Sequence, residues 1–348
     1  MVPLYTLHPR PFTVMFGNLD NYALSQAEVL IGTPGSLRER VKPSGSAYYV
    51  RQYHDGNGKV CDQYISSPVG SPEADAIAEQ IRGRIEETNR VIADIRTLRR
   101  QGFQVADTKT YAAVASLHNH GVFRAGGVLI GSHAFGVLLN TVGARADAYF
   151  TEDVDLARNE QLAFPNMPRR SLMEILSDSG IHFTEVPALD NRKPSTSFKQ
   201  PGYNFQVDLL VPSPDETFPI IPVPELRAHA TGLPYLRYLL GESQTAPLLS
   251  RAGCCLVRVP LPERFAVHKL IVSQLRVGRS AKSQKDVTQA CTLLALLGDL
   301  YPGAIEAAVA AVPVRARRYL NRALASVRPL LKNEYPSAWD ALQPNVVS

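Results

Sequence analysis

The middle third of the chain constrains the fold most, because short apolar runs alternate there with segments of helical spacing. Apolar runs of about four to eight residues, bounded by glycine or polar residues, are typical of strands in a sheet. We predict strands at 126–130, 153–157, 181–186 and 205–211, helices at 133–141 and 172–178, and a polar loop at 191–202. This order indicates one mixed sheet flanked by helices, so we expect an α+β or mixed α/β fold.

The regions on either side have simpler patterns. Strand formers at 46–53 and 59–65 surround a turn sequence at 55–58 and predict a β-hairpin. Ser71 can cap a long helix over 72–101, with Pro72 at its first position. Further helices are predicted at 103–121, 262–277, 283–297, 304–312 and 314–331. We therefore divide the chain into a β-rich N-terminal region (1–70), a helical connector (71–120), a central domain (121–260) and a helical C-terminal domain (261–348).

Composition sets a loose frame for function. The chain has 37 Lys plus Arg and 32 Asp plus Glu residues, and this mild excess suits an anionic partner without requiring one. Cys254 and Cys255 are adjacent and no C-x-x-C pair occurs, so free thiols are favoured over a disulfide or a zinc site. Without a leader-like start or an apolar run of about 18 residues, we expect a cytoplasmic protein with no membrane partner, whose oligomeric state the sequence leaves open.

Two groups of residues outside the central domain have alternative interpretations. Arg51, Tyr53 and Lys59 in the hairpin can touch an acceptor substrate, although an ordinary half-exposed hairpin is favoured. The arginines at 96, 99 and 100 can bind nucleic acid, but cations at a helix C-terminus also complement the helix dipole, and we favour the dipole.

Gly131 and Ser132 follow a strand and open a helix. The first turn of a helix exposes unpaired N–H groups and the positive end of the dipole, and phosphate oxygens bind there. Gly131 lets a ligand approach the backbone closely, and Ser132 adds a hydroxyl donor. The pair is therefore a candidate phosphate site, with a tight turn and N-cap as the simpler interpretation.

Three aspartates are candidates for binding metal. Asp153 and Asp155 are two apart on a predicted strand and therefore point to the same face. Asp208 lies within an apolar strand, where an unpaired carboxylate is costly and needs a partner or a metal. Magnesium prefers carboxylate oxygens together with substrate phosphates, so three carboxylates from two neighbouring strands can hold two metal ions, which stabilise the attacking and the leaving oxygen of a phosphoryl transfer.

Three short runs together resemble the polymerase-β-type nucleotidyltransferase superfamily, in a bacterial branch of unassigned substrate: Gly131-Ser132-His133-Ala134-Phe135, the run Thr-Glu-Asp-Val-Asp-Leu-Ala at 151–157, and Val207-Asp208-Leu209-Leu210. The resemblance covers residues 120–300 and implies a catalytic domain at 121–260. It implies that Asp153 and Asp155 bind Mg²⁺ or Mn²⁺, and that Asp208 binds the catalytic metal and helps deprotonate the acceptor hydroxyl. It implies that Gly131 and Ser132 hold the β- and γ-phosphates. The gap from Ser132 to Asp153 is longer than in compact members, which implies an insertion near 143–150.

The C-terminal helices supply candidate cations. The segment 262–270 resembles the family's helix that carries a nucleotide-contacting lysine, which makes Lys269 the candidate. Arg279, Lys282 and Lys285 follow and can neutralise triphosphate charge, with a solvated helix start as the equally weighted alternative.

The leading hypothesis is an enzyme that transfers a nucleoside monophosphate from an NTP to an RNA, protein or small-molecule acceptor and releases pyrophosphate. The alternative is a non-catalytic nucleotide-binding protein, or an interaction protein of the toxin–antitoxin type, on the same fold. The three carboxylates favour the enzyme.

Overall fold

The computed structural model describes residues 3–147, 152–164, 170–187, 193–275 and 281–343. The strands are β1 Thr6–Leu7, β2 Ser36–Val41, β3 Ala47–His54, β4 Val60–Ser66, β5 Gly127–Ile130, β6 Ala144–Arg145, β7 Asp153–Arg158, β8 Thr184–Glu185, β9 Ser197–Lys199, β10 Gln206–Pro212, β11 Ile220–Val223, β12 Ala228–Leu233, β13 Ser243–Ser250 and β14 Gly253–Pro260. The helices are α1 Arg10–Ser25, α2 Pro72–Arg100, α3 Thr108–Asn119, α4 Gly131–Thr141, α5 Leu172–Ser177, α6 Leu236–Leu240, α7 Pro262–Leu275, α8 Ala281–Leu300, α9 Ala304–Ala310, α10 Val314–Leu331 and α11 Pro336–Leu342.

A mixed sheet forms the centre of the protein. Its strand order is β11-β12-β10-β7-β5, with β7, β10 and β12 parallel and the two outer strands antiparallel to their neighbours. The short strand β9 pairs with the first half of β10, and β8 pairs with β9. One core cluster joins buried side chains of this sheet to those of α3, α4, α7 and α8. The predicted mixed sheet flanked by helices is confirmed.

A second β element was not predicted from the sequence. Strands β13 and β14 form an antiparallel hairpin in which most side chains are buried, and consecutive residues are buried on both faces. Such a strand lacks the alternation that a half-exposed strand shows, so its apolar run is hard to distinguish from other buried segments. All four cysteines are free thiols, as expected, and Cys254 and Cys255 lie within this buried hairpin.

The N-terminal region contains the predicted hairpin and one unpredicted helix. Strands β2, β3 and β4 form a three-stranded antiparallel sheet. Helix α1 was missed, although Phe16, Leu19 and Ala23 recur at helical spacing and are buried. Arg51 is 2% exposed and donates to the carbonyls of Ile31, Thr33 and Pro34. Its role is to hold the preceding loop, so the idea that Arg51 touches an acceptor is wrong.

Helix α2 has the predicted cap. Ser71 Oγ accepts a hydrogen bond from the Ala74 N–H at 3.2 Å. Within the described residues, no helix is both long and apolar enough to cross a membrane.

His8 makes the stability of the fold sensitive to acid. The His8 ring stacks on Phe103 with 3.7 Å between ring centroids. Burial, and then the charge of Arg145, lowers the His8 pKa from 6.5 to about 4. The folded protein therefore takes up this proton less readily than the unfolded chain. The contribution of His8 to stability is complete above pH 6.5 and is lost as the pH falls towards 4.

We expect His8→Phe, which keeps the stacking, to reduce the fall in melting temperature between pH 6.5 and pH 4. Thermal melts across this range would measure it, with the exposed His54→Phe as a control. An unchanged slope in His8→Phe would contradict the buried, neutral state of His8.

Candidate active site

The pairing of β7 with β10 brings the three aspartates together. Asp155 lies directly beside Asp208 in the parallel register, and Asp153 lies beside Gln206. Paired residues on neighbouring strands, and residues two apart on one strand, point to the same face of a sheet. All three carboxylates therefore lie on one face, and Gln206 Nε2 donates a hydrogen bond to Asp208 Oδ2 at 2.9 Å.

The carboxylates repel one another in a partly desolvated position. Burial, followed by the charge of Asp208, raises the pKa of Asp155 to about 6. The same two causes, in the same order, raise the pKa of Asp153. Neighbouring like charges disfavour the ionised state, so the site is poised to take up a compensating cation.

Gly131 sits against this cluster for a steric reason. Ile130 pairs with Asp155, so the chain enters α4 at the level of the Asp155 carboxylate. Gly131 has φ +69°, and a Cβ atom there would overlap Oδ2 of Asp155. Only glycine therefore fits, and its absence of a side chain brings the first N–H groups of α4, including that of half-buried Ser132, close to the carboxylates.

Cationic side chains from α7 and α8 approach the same face. The Lys269 ammonium lies 2.6 Å from Asp286 Oδ1, and both side chains are mostly buried. The charge of Lys269 opposes the rise in the pKa of Asp155, and the charges of Lys282 and Lys285 oppose the rise in the pKa of Asp153. Burial, and then the charge of Lys269, lowers the pKa of Lys285. Lys269, Lys282 and Lys285 are thus near the carboxylates, whereas Arg279 lies outside the described residues.

Strand β9 places two further residues at the site, where the sequence analysis expected only a loop at 191–202. Ser197 pairs with Asp208, and Lys199 pairs with Gln206. Both side chains therefore lie on the carboxylate face. The alternation of Ser197, Phe198 and Lys199 ahead of a Pro-Gly turn was a usable hairpin signal, with Phe198 buried and its two neighbours half-exposed.

An apolar cavity of about 260 Å³ opens beside Gly131 and Asp155. Its floor on the sheet includes Ile130 and Leu210, and helix α7 covers it with Phe265 and His268. The Nε2 atom of His268 is buried without a hydrogen-bond partner. Burial, followed by the charge of Lys269, lowers the pKa of His268 to about 3, so the ring is neutral near pH 7.

The carboxylate oxygens of Asp153, Asp155 and Asp208 are of the chemical type that binds divalent cations. Carboxylate oxygens are the ligands that Mg²⁺ prefers, and a cation among these three would offset the charge of Asp208, which contributes to the raised pKa values of Asp153 and Asp155. In the described ranges, no group of three or more His, Cys, Asp or Glu side chains is already arranged as a metal site.

The contact between Gly131 and Asp155 predicts a specific loss of stability. We expect Gly131→Ala to lower the free energy of unfolding by about 1–3 kcal/mol, because a left-handed alanine is strained and its Cβ displaces the carboxylate. Adding Asp155→Ala removes the overlap and should restore part of that loss. Denaturant titration would measure both effects.

Gly83→Ala is the matched control, since nothing lies within 4 Å of a Cβ placed there in the middle of α2. That change should be neutral or stabilise by about 0.5–1 kcal/mol. A Gly131→Ala protein as stable as the wild type would contradict the close contact.

Comparison with known proteins places this geometry in a family. No curated protein and no solved structure shows a significant match to the chain. The sequence model of one family, described as nucleotidyltransferase, matches residues 108–313. That segment runs from the start of α3 to just before α10 and contains β7, β10 and the start of α4. Because the match covers more than half of the chain, the protein belongs to this nucleotidyltransferase family.

Proposed function

We propose that the protein is a polymerase-β-type, metal-dependent nucleotidyltransferase that moves a nucleoside monophosphate from an NTP to an acceptor hydroxyl. The observation that carries the proposal is the lateral pairing of Asp155 with Asp208 beside Gly131. In the reaction the acceptor oxygen bonds to the α-phosphorus, and the bond from that phosphorus to the bridging oxygen of pyrophosphate breaks. Family membership supports this reaction class.

The aspartates would divide the chemical work. Asp153, Asp155 and Asp208 would hold Mg²⁺ or Mn²⁺, which when bound supplies charge to the attacking and leaving oxygens. Asp208 lies next to the half-exposed Ser197 at one side of the cluster, where an acceptor can approach. Its carboxylate would take up the proton of the acceptor hydroxyl as the new bond forms.

The triphosphate would lie between α4 and α8. The N–H groups at Gly131 and Ser132 suit phosphate oxygens, since the N-terminus of a helix attracts anions. Lys282 and Lys285 interact electrostatically with the carboxylates. Together with Arg279 they would balance the charge of the triphosphate. The mostly apolar cavity beside Asp155 would hold the nucleoside.

The direct test is transfer of label from each α-³²P-labelled NTP, with Mg²⁺ or Mn²⁺, to fractions of an extract. We expect one fraction to become labelled, and we expect Asp208→Asn to lower the rate on the order of 10³-fold or more. The exposed Asp62→Asn on β4 removes the same charge elsewhere and should keep full activity.

Equal rates for Asp208→Asn and wild type would remove Asp208 from the mechanism. A wild type that binds NTP but labels nothing, with Asp208→Asn binding equally well, would favour the non-catalytic nucleotide-binding alternative.

Lys269 needs a two-step test because it is paired with buried Asp286. Lys269→Ala alone strips this cation from a buried carboxylate and should cost about 3–5 kcal/mol of stability. Lys269→Ala with Asp286→Asn removes both charges, and we expect this protein to stay folded and to show a raised KM for NTP. A wild-type KM in the folded double variant would reduce Lys269 to a structural role.

A further inference from the structure

A groove of about 560 Å³ lies between α8, the end of α2 and strand β6, and it shares no lining residue with the apolar cavity beside Asp155. Lys285 faces the carboxylates, and Thr288 and Thr292 line the groove. Residues three and seven positions apart lie on one face of a helix. The same face of α8 therefore leads from the carboxylates into the groove.

Two arginines line this groove, and the structure holds one of them in place. The stem of Arg145 lies along Gly102, where a Cβ atom would be 3.0 Å from Arg145 Cδ. Gly102 has φ +93°, which favours glycine, and it follows the end of α2 directly. Arg99 projects from the last turn of α2. Among the described residues, neither guanidinium forms an ion pair or a side-chain hydrogen bond, and Asp147 is the one acidic residue in the lining.

Aromatic rings stand beside these charges. Tyr5 lines the groove and packs against Tyr335 with 6.0 Å between ring centroids. Its hydroxyl donates to Asp299 Oδ2 at 2.5 Å, so the ring is held from two sides. Phe103 forms a buried part of the wall. Phe103 stacks on His8, whereas Tyr5 is half-exposed. An accessible ring next to guanidinium groups suits single-stranded nucleic acids, because bases stack while arginines contact phosphates.

We propose that this groove binds the phosphate backbone of a single-stranded nucleic acid whose terminal hydroxyl is the acceptor. The inference rests on the proposed function for the acceptor role, but not for binding. Along α8 the distance from Lys285 to Thr292 is roughly 10 Å, at about 1.5 Å per residue. That length exceeds the size of a single phosphate, so the groove can take more than one nucleotide of a strand. Arg99 would then contact phosphates in addition to complementing the dipole of α2.

The test is binding of a fluorescein-labelled single-stranded RNA by fluorescence anisotropy, without NTP. We expect Arg99→Gln with Arg145→Gln to raise Kd at least about tenfold and to flatten the dependence of Kd on salt, because phosphate contacts release counterions. Arg315→Gln with Arg328→Gln removes equal charge from exposed sites on α10 and should leave Kd within about twofold. If Arg145→Gln fails to fold, the single variant Arg99→Glu, at an exposed position of α2, replaces the double variant in this test.

Equal RNA affinity for wild type and the groove variant, or an equal loss in the α10 control, overturns the proposal. Displacement of the RNA by a nucleoside monophosphate or inorganic phosphate at the same phosphate concentration overturns the nucleic-acid assignment in favour of a small phosphorylated acceptor. RNA binding that requires the groove arginines, without any transfer of nucleotide to the RNA, would support the groove as a binding site and overturn the proposed enzymatic function.

Discussion

The parallel pairing of β7 with β10 is the interaction on which the rest of the site depends. It sets Asp155 beside Asp208, and the antiparallel pairing of β5 with β7 then delivers Gly131 to the same point. A slip of one residue would turn a strand's carboxylates to the opposite face. A slip of two would keep the face but separate Asp155 from Asp208 by about 7 Å along the strands. The buried apolar side chains that alternate with the aspartates exclude a slip of one residue, because it would turn them to the opposite face of the sheet.

This arrangement is costly for the fold and is compensated locally. Three like charges share one face, and burial together with mutual repulsion raises the pKa of Asp155 and of Asp153. Helices α7 and α8 bring lysines to that face, which offsets part of the repulsion. The Lys269–Asp286 pair joins these two helices in a mostly buried position. Such pairs often add little net stability, but losing one partner is expensive, so the pair fixes how α7 and α8 meet beside the site.

The elements with local signals could be predicted, and those that depend on distant pairing could not. Helix α10 has the predicted bounds, and the Ser71 cap and the turn at Gly131 were readable from a few neighbouring residues. The spacing of Asp153 and Asp155 predicted that both side chains lie on the same face of the strand. Their proximity to Asp208 depends on pairing with a strand that lies about 50 residues later in the chain. Strand β9 was missed because its alternation spans only three residues within a polar segment, so the usable signal was short. The expectation that Arg51 touches an acceptor was wrong because the loop before β2 buries its side chain, and burial by a loop leaves no periodic pattern in the sequence.

The central claim is that Asp153, Asp155 and Asp208 hold divalent metal beside a triphosphate on the first turn of α4. The most direct measurement is anomalous X-ray diffraction from crystals grown with Mn²⁺ and a non-hydrolysable NTP analogue. The account predicts an anomalous peak within bonding distance of carboxylate oxygens of both Asp155 and Asp208, with phosphate density at the N–H groups of Gly131 and Ser132. Manganese and nucleotide bound elsewhere, with these carboxylates contacting neither, would contradict it.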